Sequence, residues 1–156
     1  MSGQFSDLDS IAEARRCAER GYEAWKKFRD YAPEDVDRVV RAMAQAAERE
    51  AGRLAELAHV ETGYGNVEDK RLKNLYNSRV VADWLANVTT LGVLWRDEVT
   101  KVVAVGESMG VVAGLIPVTH PTALVIFKVL SRSRPATRSC VRRIPAAPGP
   151  RRRPAG

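Results

Sequence analysis

Apolar positions recur at three- and four-residue steps through the first half of the chain and become denser after residue 99, so helices are expected to precede strands. Ile11, Ala14, Ala18, Tyr22, Trp25 and Phe28 alternate with Glu, Arg and Lys and predict an amphipathic helix over residues 10–29. Gly21 weakens it by about 1 kcal/mol relative to alanine. Tyr31 to Asp35 reads as a turn that sets Pro33 at the first position of a second helix, with two acids in its opening turn. That helix is expected to run to about Val60. Val36, Val40, Met43, Ala47, Leu54 and Leu57 make its apolar stripe, broken by Glu50. Thr62 to Asn66 stops it, with two glycines able to take the left-handed conformation of a helix end. A third helix is predicted over 67–87, with Leu72, Leu75, Tyr76, Val80, Trp84 and Leu85 on its inner face. Asp69, Lys70, Arg71 and Lys73 then form a solvated charged face.

Two extended segments follow, 99–105 and 109–116, joined by Gly106, Glu107 and Ser108. Pro117 ends the second, because proline has no ladder donor and a fixed φ. The turn Val118-Thr119-His120-Pro121 comes next, and Thr122 is placed to cap a helix over 123–130. Strand, polar turn and helix make the first half of a βαβ unit, in which ligands lie at the carboxyl end of the strand. Neither GxGxxG nor GxxxxGK[ST] is present, so neither common phosphate fingerprint applies.

Composition changes this picture chiefly at the C-terminus. The chain has 156 residues, 45% apolar, and its net charge is +6. Residues 131–156 hold eight arginines, five prolines and no acid, leaving 17 basic against 19 acidic residues before them. Such a segment cannot bury enough surface to offset chain entropy and is expected to be disordered. Without interleaved aromatics its arginines predict no specific nucleic-acid binding. No apolar run is long enough for a membrane span, and the polar first ten residues carry no secretion pattern, so cytoplasmic residence is expected. Cys17 and Cys140 imply no disulfide framework, and with His59 and His120 they show no metal-ligand spacing. Cys140 lies among arginines that would lower a thiol pKa, yet no histidine base is near it in sequence. Cys17 reads as a packed helix residue, and His59 as a partner for its helix's C-terminal dipole or a partly buried side chain.

The blocks ETGYGNVEDKRLKN (61–74), GVLWRDEVTKVVAVGESMGVV (92–112) and IPVTHPT (116–122) occur in that order. Together they resemble the CoA-acylating aldehyde dehydrogenases, and the resemblance runs from about the first helix to Leu130. It implies an α/β fragment: three N-terminal helices, a strand pair, and the first strand-turn-helix of a Rossmann-like nucleotide domain. Residues 1–130 would be a truncated N-terminal part of that domain with oligomerisation-arm strands, and 131–156 a separate tail. The family's reaction converts an aldehyde, CoA and NAD to acyl-CoA and NADH through a cysteine thiohemiacetal.

By the resemblance, Ile116, Pro117, Val118 and Thr119 lie along the nicotinamide-side ribose and ring. His120 takes the place of an asparagine whose amide helps stabilise the oxyanion. The catalytic cysteine would lie beyond Gly156, so this polypeptide is expected to be inactive. Its partners would be a small aldehyde and CoA, with self- or homologue pairing through strands near 99–116. The Arg- and Pro-rich tail has the composition of a shifted reading frame in a GC-rich gene, which predicts a frameshifted product. A different class of function is a noncatalytic helical module that pairs with a full-length homologue or a microcompartment shell.

Overall fold

Glu50 divides the expected second helix in two. Its backbone sits at φ −91° and ψ 1°, outside helical values. The chain therefore forms α2 (Pro33–Arg49) and α3 (Ala51–Thr62), in a computed structural model that describes residues 4–133 and 138–143. The break re-aims α3. Ala51, Ala55 and Ala58 are buried, whereas Leu57 is half exposed. Small residues on that face let α3 approach α4 (Val67–Tyr76) closely.

The third helix also divides, into α4, a π-turn at Asn77–Val81 and α5 (Ala82–Ala86). Its expected apolar face is turned outward: Leu72, Tyr76, Val80 and Trp84 are exposed, while Lys70, Asn74 and Ser78 are buried with Leu85. The π-turn shifts the helical register. Within it Ser78 Oγ donates to Asn74 O at 2.9 Å, a backbone acceptor one turn back. The core lies between α2, α5 and α6 (Pro121–Ser133), with α1 (Gln4–Phe28) adding its last residue. It contains Phe28, Val36, Val40, Ala44, Leu85, Ile126 and Leu130.

Helix α1 begins earlier than its pattern predicts and packs less. Ile11 and Tyr22 are about half exposed, and Phe28 carries its burial. Gly21 has a positive use here. A Cβ at that position would sit 3.2 Å from Val111 Cγ1, so the glycine lets α1 lie against the strand that contains Val111.

The strands pair differently from expectation. Gly92–Asp97 is a strand, β1, in antiparallel register with β2 (Val102–Gly106), and the register slips between Val93 and Trp95. Val99 and Thr100 belong to the connecting turn. Asp97 organises it: Oδ1 accepts from Val99 N at 2.8 Å and Thr100 N at 3.2 Å, and Oδ2 accepts from Thr100 Oγ1 at 2.6 Å. The Thr100 hydroxyl first, and then the two backbone amides, hold the Asp97 carboxyl below its ordinary 3.8. Because the folded value is the lower one, this support is present above pH 3.8 and is lost as pH falls through the folded value. Protection of the Val99 and Thr100 amides, taken against the intrinsic exchange rate at each pH, is therefore expected to fall on acidification below about pH 4, and Asp97→Asn to remove most of that dependence.

β3 (Val111–Ile116) pairs with β4 (Arg138–Arg143) in parallel, from Val111 opposite Arg138 to Ile116 opposite Arg143. Helix α6 connects the two and runs through Ser133. The disorder expected of 131–156 thus does not hold at 131–133 or 138–143. A strand that alternates little in polarity can still form where β3 offers a full row of donors and acceptors. Residues 134–137 and 144–156 lie outside those described.

Candidate functional site

The strand-to-helix turn between β3 and α6 is assembled by side chains from α4 and the π-turn that follows it. Ile116, at the carboxyl end of β3, is fully buried, and Pro117 then directs the chain outward. Lys70, Asn74 and Asn77 recur at four- and three-residue steps, which puts them on one face. Each reaches a different group of the turn. Lys70 Nζ donates to Thr119 O at 2.9 Å. Asn74 accepts at Oδ1 from Thr122 Oγ1 at 3.0 Å, and its Nδ2 donates to Ala51 O at 3.0 Å. Asn77 Nδ2 donates to Ala123 O at 3.0 Å.

Thr122 therefore lies inside α6 and bonds a neighbouring helix instead of capping its own. The first turn closes on His120, whose carbonyl accepts from Leu124 N at 3.3 Å. The His120 ring is exposed, with Nδ1 2.8 Å from Thr119 Oγ1. A shallow cleft beside it is lined by Lys73, Asn77, His120, Ala123, Leu124 and Phe127.

Lys70 corrects the charged-face expectation. It is 6% exposed, and among the described residues it forms no ion pair. Burial first, and then the nearby positive charge of Lys73, push its ammonium pKa below the usual lysine value. Asp69 and Arg71 do lie outward: Asp69 accepts at the helix start from Asn66 Nδ2, and Arg71 pairs with Glu68.

Ile116 closes β3, and Pro117, Val118, Thr119 and His120 form the turn that follows it, as their order requires. Cys17 is on α1, away from the cleft lining, and Cys140 is in β4 opposite Ala113, mid-strand. His59 O accepts from Gly63 N at 2.8 Å, while its Nδ1 is buried with no hydrogen-bond partner among the described residues. No described group of His, Cys, Asp and Glu could hold a metal ion. No described helix is long and apolar enough to cross a membrane.

Sequence periodicity missed Lys70, Asn74 and Asn77, because apolar spacing alone decided which face was inner. Their own spacing was a usable signal. Asn74 is fully buried and bonded at both ends of its amide, so Asn74→Ala is expected to lower unfolding free energy by about 2 kcal/mol, read in urea melts.

No protein-family model matches the chain. Relatives do. The chain is 34% identical over 79% of its length to the bifunctional aldehyde-alcohol dehydrogenase AdhE of Escherichia coli, of which it covers 14%. It is 42% identical over 69% of its length to the aldehyde-alcohol dehydrogenase of Clostridium acetobutylicum, covering 12% of that protein. The crystal structure of an acetylating aldehyde dehydrogenase from Geobacillus thermoglucosidasius superposes with a TM-score of 0.86 at 42% identity, over 89% of this chain and 31% of that one. That share of 156 residues exceeds the 130 that end at Leu130, so the structural likeness passes beyond the point where the sequence resemblance stops.

Proposed function

We propose, for a chain homologous to the N-terminal part of the acylating aldehyde dehydrogenases, that it supplies the cofactor-side turn and one oxyanion donor of a CoA-acylating aldehyde dehydrogenase site. The observation that carries this reading is the β3–turn–α6–β4 arrangement, with an exposed imidazole at the point where the helix opens. A crossover between parallel strands presents ligands at the strand's carboxyl end, and this one is shaped by Pro117 and pinned by Lys70 and Asn77.

Ile116, Pro117, Val118 and Thr119 fit the side of a nicotinamide nucleotide: a buried apolar strand end followed by a rigid turn. NAD, when bound, accepts the hydride, and CoA takes the acyl group. The chain's own contribution is positional and electrostatic. His120, donating a ring N–H, offers a hydrogen bond to an oxygen gaining charge. A preorganised donor of this kind is worth a few kcal/mol in a transition state. Thr119 Oγ1 orients the ring through Nδ1, which leaves Nε2 as the donor when the hydroxyl donates.

Neither cysteine is at the turn, so the described residues bring no thiol to it. Purified residues 1–156 with acetaldehyde, CoA and NAD are expected to form no NADH above a blank lacking protein, followed by NADH absorbance. Turnover that persists in a preparation from a host lacking its own aldehyde dehydrogenases would overturn the placement of the nucleophile elsewhere. Cytoplasmic residence belongs to the same reading. A noncatalytic pairing role is the second one; it rests on the half-exposed Leu8, Ile11 and Tyr22 of α1. Co-purification with a tagged full-length relative, abolished by Ile11→Lys, would support it.

A further inference from the structure

We propose that Lys70 is a positioning residue for His120, acting through the Thr119 peptide rather than on any reacting atom. The chain of contacts is short. Lys70 Nζ holds Thr119 O at 2.9 Å, and the hydroxyl of the same threonine lies 2.8 Å from His120 Nδ1. The His120 carbonyl then accepts the first hydrogen bond of α6, from Leu124 N. One ammonium thus fixes the peptide plane between the strand end and the ring, while Asn74 and Asn77 fix the two positions that follow His120 and Pro121.

Stability alone is a poor reason for this lysine. It is 6% exposed, has a neutral carbonyl as its acceptor, and forms no ion pair among the described residues. Burying a charge without a counter-charge is costly, and an apolar side chain of similar length would fill the site at lower cost. What methionine could not do is hold the Thr119 carbonyl. A charge-assisted hydrogen bond is shorter and more directional than a neutral one, which suits a part whose job is to keep an exposed ring from turning. Lys73 is exposed in the adjacent cleft, so of these two neighbouring lysines only Lys70 is withdrawn from solvent. The groups facing Lys70 include Thr119 O from the turn and Lys73 from its own helix, and neither is an acid.

The proposal rests on the reading of the His120 turn as the oxyanion side. Its test needs no cofactor or aldehyde, so the two can fail separately: the turn can prove pinned in a protein that never binds NAD, or loose in one that does. In residues 1–156, Lys70→Met is compared with Lys70→Arg and the unchanged chain. Amide hydrogen exchange is followed at Leu124, in the first turn of α6, and at Val40, in the core of α2. The His120 ring nitrogens are read by long-range ¹⁵N–¹H correlation.

Lys70→Met is expected to speed exchange at Leu124 about tenfold while Val40 changes less than about twofold. The His120 nitrogen shifts should move to those of a freely rotating exposed imidazole. Lys70→Arg, which keeps a buried donor, should recover at least half of the Leu124 protection. Equal acceleration at Leu124 and Val40 would mean that Lys70 serves the fold as a whole, and unchanged His120 shifts in Lys70→Met would mean that it does not position the ring. Either result overturns the proposal. Should Lys70→Met fail to fold, Thr119→Val decides, since it leaves the Lys70 acceptor in place and removes the hydroxyl at Nδ1: His120 shifts unchanged there would overturn the proposal, and free-imidazole shifts would support it.

Discussion

A chain ended at Leu130 is expected to lose the cooperative melt of residues 1–156. Composition argues the reverse, since 131–156 is rich in arginine and proline and poor in apolar residues. The fold argues otherwise. Ser133 is buried at the end of α6, and β4 pairs with β3 along all six residues of that strand. β4 also packs against α1 and α6. Without it β3 has no described strand neighbour, and a lone strand has no means of satisfying its backbone. Each ladder hydrogen bond contributes about 1 kcal/mol net, so losing the ladder and its packing removes several kcal/mol. That is a large share of the roughly 5–15 kcal/mol typical of a folded domain. Circular dichroism melts of the two chains should show a broad or absent transition for 1–130. Midpoints within about 3 °C of each other would mean that β4 adds nothing.

The coarse fold was legible because helix periodicity and helix stops are local. Pro33 with two acids, and the left-handed Gly63 after Thr62, set their boundaries within a residue or two. What was not legible was set by neighbours distant in sequence. Tyr76, Val80 and Trp84 form a convincing apolar stripe, yet that face is outward because Lys70, Asn74 and Asn77 bond to groups some fifty residues on. No apolar count can see a partner across that separation. The hairpin is legible only in part: residues 99–105 read as extended and overlap β2, whereas β1 (Gly92–Asp97) is not predicted, its apolar run ending at Arg96 and Asp97. The turn holding His120 falls where Pro117 and Pro121 punctuate the chain locally. The lysine that fixes it came from another part of the chain.

The second large effect concerns His120 itself. Grafting residues 1–130 in place of the matching segment of the acetylating aldehyde dehydrogenase from Geobacillus thermoglucosidasius supplies the remainder of the site. In that chimera His120→Ala is expected to lower kcat for acetaldehyde by about 100-fold, the usual effect of losing one oxyanion donor. His120→Asn keeps an N–H donor at the same position and should lose far less, although the ring it replaces is held at Nδ1 by Thr119. The KM for NAD should move less than about twofold in His120→Ala, because the loss falls on the transition state and not on binding. Equal kcat with and without the His120→Ala substitution would show that the turn does not meet the developing charge.

The central claim is that this chain provides the cofactor-side turn of an acylating site. The measurement that bears on it most directly is product formation by the grafted protein with His120 in place. The account predicts acetyl-CoA and NADH in equal amounts, both dependent on CoA, with turnover falling at least about tenfold when Lys70→Met is added to the same chain. A folded, soluble graft that binds NAD yet forms neither product would contradict it.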